Sequence, residues 1–293
     1  MNETISLVTG ATSGIGKEIA RALARRGHRV AIICRDPGKT RVTLAELRAS
    51  APGAVIEPFL ADLSVMSDVR RVAGELRDRY AAVDVLVNNA GTHDLRPRTT
   101  CDGFDRMVAT NHLGPFLLTN LLLEPLQAAC GRVVMVASEM YRIAYRVDVE
   151  HLADPVDYPW YESIRAYGRT KLYNILFAQE LAARQREVTV NAMCPGPVAS
   201  NIVRDVPLMD RAARIVGRTP LVRTPLLSTP AQGAESAVRL AADPEFDGRG
   251  GRFHSSIPGL HLLPATRTRR DQMLQRRVWN RSAELVGCDP AGP

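Results

Sequence analysis

The chain has 293 residues, 45% apolar and 24% charged, an ordinary balance for a globular protein able to bury a sizeable core. A net charge of +7 and an isoelectric point near 9.5 permit nucleic-acid contact, but the arginines are scattered through helical segments, most densely at 267–270 and 275–277, which favours a solvated surface and no nucleic-acid partner. The odd, widely spaced cysteines (Cys34, Cys101, Cys130, Cys194, Cys288) give neither a disulfide framework nor a metal site, no signal-peptide pattern opens the sequence, and the longest apolar run (117–126) is too short to cross a bilayer, so a cytoplasmic protein with no membrane span is expected.

Strands and helices alternate in chain order. ISLVTG at 5–10 reads as a strand. Residues 15–27 form a helix with apolar positions 15, 19, 20, 22, 23 and 24 on one face, and Gly27 stops it. A strand at 29–34, a helix at 38–50 and a strand at 54–60 follow. Then come a helix at 67–80, a strand at 83–88, a long helix at roughly 103–128 and a strand at 131–138. Another long helix covers roughly 162–184, and a sixth strand lies at 188–195. Near-continuous apolar strands separated by helices predict a single-domain α/β Rossmann fold. Its doubly wound parallel sheet has about seven strands with helices on both faces, and its ligand cleft lies at the carboxyl ends of the strands. Residues 1–255 are expected to form the dinucleotide-binding and catalytic domain. Residues 256–293 are expected to be a partly helical tail, helical around 266–286, packing on that domain.

TGATSGIG at 9–16 lies between the first strand and the first helix. Glycines 10, 14 and 16 let the backbone turn tightly beside a pyrophosphate, and the helix N-terminus supplies free N–H groups. The spacing, together with DL (62–63), NNAG (88–91), Asn111, Ser138, YGRTK (167–171) and PGPV (195–198) in this order, resembles the short-chain dehydrogenases/reductases. The resemblance covers nearly all of residues 4–255. It implies a cofactor site made of Gly10, Ser13, Gly14, Ile15, Gly16, Asp62, Leu63, Asn89, Ala90, Gly91, Tyr167, Lys171, Pro195, Gly196 and Val198. Within that set Asp62 is expected to meet the adenine, Asn89 the adenosine ribose side, and the 195–198 loop the nicotinamide carboxamide. No metal is expected.

The second strand ends IICRD. Cys34 stands where the family's NAD users carry an acid, and Arg35 can grip a 2′-phosphate through its fork of donors. Ser13 can add a hydroxyl, while Asp36 dissents mildly. The expected cofactor is NADP(H).

Only three of the 38 lysines and arginines are lysines, and one of them, Lys171, stands four residues after Tyr167. Positions i and i+4 share a helix face. Tyrosine's ordinary pKa near 10 is too high for proton exchange with a carbonyl oxygen near neutrality. One cation at about 4 Å contributes on the order of 4 kcal/mol at an effective dielectric near 20, enough to bring the phenol to about 7. Tyr167 is the expected general acid/base, and no other tyrosine has Lys at i+4. Ser138 ends the fifth strand and can hold the substrate oxygen. Ala137 replaces the first serine that many relatives carry there. In the family Asn111 helps hold a water linking the lysine to solvent.

The 29 residues from Ser138 to Tyr167 exceed most of the family and, with the CRD strand end, resemble the branch holding retinol dehydrogenases and protochlorophyllide reductase. Six of the seven tyrosines and Trp160 lie between 141 and 173, where they either line an apolar pocket or pack the insert on the body. Residues 199–229 match a mobile substrate lid in relatives. The expected reaction is ketone or aldehyde to alcohol interconversion on a bulky lipophilic substrate. A dinucleotide-binding sensor with little turnover is the alternative, distinguished by the intact Ser138, Tyr167 and Lys171. The family assembles homodimers or homotetramers through its two long helices, but the insert and tail are long enough to block this and leave a monomer.

Overall fold

The computed structural model describes residues 3–144, 146–198 and 228–289. Seven parallel strands form one sheet in the order β3-β2-β1-β4-β5-β6-β7. They are β1 (Ile5–Thr9), β2 (Arg29–Cys34), β3 (Ile56–Leu60), β4 (Val85–Asn88), β5 (Arg132–Val136), β6 (Thr189–Cys194) and β7 (Phe253–Ser255). The strands read as apolar runs because both faces are covered. Alternate residues feed two cores: Leu7, Ala31, Ile33, Leu86, Val133 and Met135 point to one side, and Val8, Val30, Ile32, Val87, Val134 and Val136 to the other. Strand order reverses between β1 and β4, so the loops after these strands diverge and open a crevice.

One face carries α1 (Gly14–Arg25) and α2 (Pro37–Ser50), and the other carries α3 (Met66–Arg79). The expected 103–128 helix is broken into α4 (Arg106–Val108), a π turn (Ala109–Leu113), α5 (Gly114–Leu121) and α6 (Leu123–Ala128). Asp105 caps its start through Val108 N–H, which moves the beginning three residues on. Pro125 has no N–H to carry the ladder across the second break. Short 3₁₀ turns at Glu139–Ile143 and Trp160–Glu162 bound the insert, and α7 (Ser163–Arg184) follows.

Helix α8 (Pro230–Ala242) was not anticipated as an element, although Thr229 and Gln232 close a capping box at its start. The helical stretch expected at 266–286 is split by Asp271 into α9 (Arg267–Arg270) and α10 (Gln272–Val286), with the Asp271 carboxylate capping α10 through Leu274 N–H. Helix α10 belongs to the core. Its Trp279 is fully buried between Phe116 and Phe177, at ring-centroid distances of 5.0 and 5.7 Å.

Candidate active site

The residues singled out in the sequence lie at the carboxyl ends of six adjacent strands. Gly14 (φ +56°) turns the chain into α1 in a conformation L side chains rarely adopt, and nothing within 4 Å stands where its side chain would be. A Cβ on Gly16 would meet Asn89 Nδ2 at 2.3 Å and Gly10 O at 2.5 Å, while Gly10 itself backs onto Ala90. Asn89 Nδ2 donates to Thr9 O at 2.9 Å and Gly10 O at 3.3 Å, so this side chain, expected near the ribose, braces the glycine turn. Ser13 makes no capping hydrogen bond and the first turn of α1 holds no acid. Those N–H groups and that hydroxyl are therefore open to an anion, as a dinucleotide's pyrophosphate requires.

At the end of β2, Cys34 is buried and its thiol is pushed up by burial. Arg35 is 61% exposed and donates from Nη1 to Asp62 Oδ2 at 3.3 Å. The other Asp62 oxygen accepts from Ser64 N–H and Ser64 Oγ–H. The dissent of Asp36 has a structural answer, because its carboxylate caps α2 through Lys39 N–H at 2.9 Å. Leu63 is buried beneath the π-turn segment, with its carbonyl against Gly114. After β6, Val198 and the Pro195 carbonyl adjoin Gly233 of α8, as does Ile15, each within 3.5 Å of where a Cβ on that glycine would stand. Gly196 N–H donates to Cys194 Sγ at 3.4 Å.

Tyr167 and Lys171 lie one turn apart on α7, 8% and 2% exposed. Lys171 Nζ stands 5.4 Å from the Tyr167 ring centroid and donates to Val136 O, at the end of β5, at 3.0 Å. No ion pair to Lys171 is present among the described residues. Gly168 lets α7 pack closely on the turn after Ser138, since a Cβ there would sit 2.5 Å from Met140 O. Ser138 Oγ accepts from Met140 N–H at 3.2 Å, which leaves its own hydrogen available. Asn111 Oδ1 accepts from Thr92 N–H at 2.7 Å, and its Nδ2 donates to Thr92 O at 2.9 Å and Thr170 Oγ at 3.0 Å. The amide thus ties the loop after β4 to α7, and the position of Gly91 adjoins both Asn111 Oδ1 and Lys171 Nζ.

The expected acidification of Tyr167 by Lys171, to which an oxidised nicotinamide ring would add, is opposed in this site by burial. Burial pushes the Tyr167 hydroxyl above its ordinary value. Burial also draws the Lys171 ammonium down to about 8. A cation at about 5 Å supplies roughly 3 kcal/mol at an effective dielectric near 20. Full burial can move a pKa by up to about 3–5 units, or roughly 4–7 kcal/mol. Desolvation and the neighbouring ammonium thus act in opposite directions on this phenol and are of comparable size.

The aromatic-rich insert divides between both readings. Tyr141 and Tyr173 are buried in the body, while Trp160 and Tyr161 are exposed. Tyr158 packs against the cluster of Met107, Ala166 and Tyr167. Tyr145 and lid residues 199–227 lie outside the described residues. Sequence reasoning missed His93. Its ring lies 5.3 Å from the Tyr167 ring and its Nε2 pairs with Ser163 Oγ at 3.1 Å. The available signal was its place two residues past the NNAG loop, over the cleft.

Residues 4–148 match the sequence model described as short chain dehydrogenase. The chain is 35% identical over 297 residues to retinol dehydrogenase 14 of Mus musculus, covering 96% of this chain and 85% of that protein. It is 36% identical over 281 residues to the protein provisionally called daunorubicin C-13 ketoreductase DnrU of Streptomyces sp. (strain C5), covering 96% and 92%. Among solved structures, a variant of actinorhodin polyketide ketoreductase with NADPH aligns at a TM-score of 0.63 and 28% identity, over 88% of this chain and 97% of that one.

Proposed function

The chain belongs to the short-chain dehydrogenase family, in its retinol-dehydrogenase-like branch, and we propose that it is an NADP(H)-dependent oxidoreductase that interconverts a bulky lipophilic ketone or aldehyde with its alcohol. The observation that carries this is the buried Tyr167–Lys171 turn, with Lys171 bonded to Val136 O two residues before Ser138 and adjoining Gly91 of the NNAG loop.

When bound, the nicotinamide dinucleotide supplies or accepts the hydride at the reacting carbon. Ser138 Oγ–H holds the carbonyl oxygen. Tyr167 gives that oxygen its proton and reclaims it in the oxidising direction. The Lys171 ammonium, held by Val136 O, stabilises the phenolate left behind as a compact point charge, for which the planar Arg fork is no equivalent. Burial holds the phenol in its protonated form in the cofactor-free site.

Three features support NADP(H): Cys34 where an acid would repel a 2′-phosphate, the exposed Arg35 fork, and a free Ser13 hydroxyl. The names of the relatives above and Tyr158 beside Tyr167 support a lipophilic substrate. The same proposal places the catalytic domain over 1–255 and the protein in the cytoplasm. No helix among the described residues is long and apolar enough to cross a membrane. The test is NADPH oxidation with aromatic ketones, aliphatic ketones and sugars. Ketone-dependent turnover that Tyr167→Phe abolishes is expected. Tight NADPH binding without turnover on any ketone would return the sensor reading, and turnover on sugars alone would overturn the lipophilic one.

A further inference from the structure

The π turn Ala109–Leu113 holds one residue more than an α turn allows and is closed by Gly114 N–H on Ala109 O. Such turns are rare, occur singly within α-helices and gather at functional sites. Asn111 makes its three bonds to Thr92 and Thr170. The next residue, His112, is fully buried among Phe116, Tyr173 and Phe177. Its Nε2 lies 2.7 Å from Ser282 Oγ of α10. Ser282 donates its own hydrogen to Val278 O at 2.7 Å, so it accepts here and His112 carries its proton on Nε2. Burial draws this imidazole down to about 3, so it stays neutral. The Nδ1 lone pair has no donor as placed, and the Asn174 side chain of α7 adjoins it. Turning the Asn174 amide so that Nδ2 faces the ring supplies that donor.

We propose that His112, pinned by Ser282 of the C-terminal helix, is a positioning residue that keeps the π turn in register and so holds Asn111 on Thr170, next to Lys171. One imidazole links three elements: α10, the π turn and α7. Losing the extra residue would swing Asn111 about 100° around the helix axis, away from Thr92 and Thr170. The C-terminal helix is then part of the support of the proton-transfer site.

The inference rests on the Tyr167 mechanism proposed above, and the experiment separates the two. Steady-state kinetics with NADPH and the best ketone, and hydrogen–deuterium exchange over 106–114, are measured on the full chain. Ser282→Ala and His112→Leu are expected to lower kcat about tenfold with KM for NADPH unchanged, as small misplacements of a catalytic turn do. Exchange over 106–114 should quicken in both. His112→Gln, which keeps an N–H donor near the Nε2 position, should recover most of the loss. If Leu serves as well as Gln, the ring is only packing and the proposal falls. Unaltered exchange in Ser282→Ala also overturns it, and that readout holds even if His112→Leu fails to fold. Absence of Tyr167-dependent turnover in the wild type would refute the mechanism, and the exchange data would then decide the tether alone.

Discussion

Two side chains define the chemistry at the residue scale, and their burial gives Lys171 a measurable pH signature. Its folded pKa, about 8, lies below the unfolded value near 10.5. The native chain thus binds fewer protons than the unfolded chain between those values, and stability rises with pH across that window. Below about pH 8 the buried ammonium costs stability in full. Lys171→Met should therefore stabilise the cofactor-free protein at pH 7 by about 1–3 kcal/mol while abolishing turnover, with the gain fading by about pH 10.5. Thermal melts of both proteins across pH check this; a Met variant less stable at pH 7 would show that the bond to Val136 O outweighs desolvation. Arg35 gives a second test. Its exposed pair with Asp62 is worth only about 0–1 kcal/mol, so turning to a phosphate costs little. Arg35→Ala should weaken NADPH binding about ten- to a hundredfold and NADH binding hardly at all, read by cofactor titration. Equal losses would refute NADP(H) preference.

At the scale of elements, α10 carries its largest side chain into the core. Trp279 is stacked on Phe177, set edge-on to Phe116, and covered by the Arg184 guanidinium at 4.6 Å. Trp279→Ala should cost about 3–5 kcal/mol, measured by urea unfolding, because the cavity is walled by rigid rings and α7. A loss under about 1 kcal/mol would mean that α10 is peripheral. The first six strands and α1, α2, α3 and α7 were legible because each carries one period, apolar runs for doubly covered strands and a 3.6-residue stripe for helices, whereas the three-residue β7 is too short to show one. Glycine turn, Tyr167 and Lys171 were legible because local geometry fixes them. The π turn was not, since its extra residue depends on Thr92, Thr170 and Ser282, far off in sequence. His93 was not, because only the fold brings it to Tyr167. The burial of Tyr167 was not legible either: i+4 spacing shows the cation but not how deeply the pair is covered.

At the scale of the whole molecule, α10 also decides which surfaces are left to other subunits. The family resemblance points to assembly through the two long helical stretches, here α5 and α7. In this chain α10 lies against both, through Trp279 on Phe116 and Phe177 and through Gln275 Nε2 on Gln179 Oε1 at 3.3 Å. A second copy using that strip would have to displace Trp279 and break the His112–Ser282 bond. The net charge of +7 adds mutual repulsion between copies at low salt. The chain is therefore expected to sediment as a monomer of 32.1 kDa in analytical ultracentrifugation, at low and at moderate salt. Removing residues 272–293 should uncover Phe116 and Phe177 and drive self-association together with loss of activity, because the same helix shields the apolar strip and braces the Asn111 turn. A full-length dimer in which hydrogen exchange protects α5 and α7 beyond what α10 provides would show that the helix moves aside, and would overturn this reading.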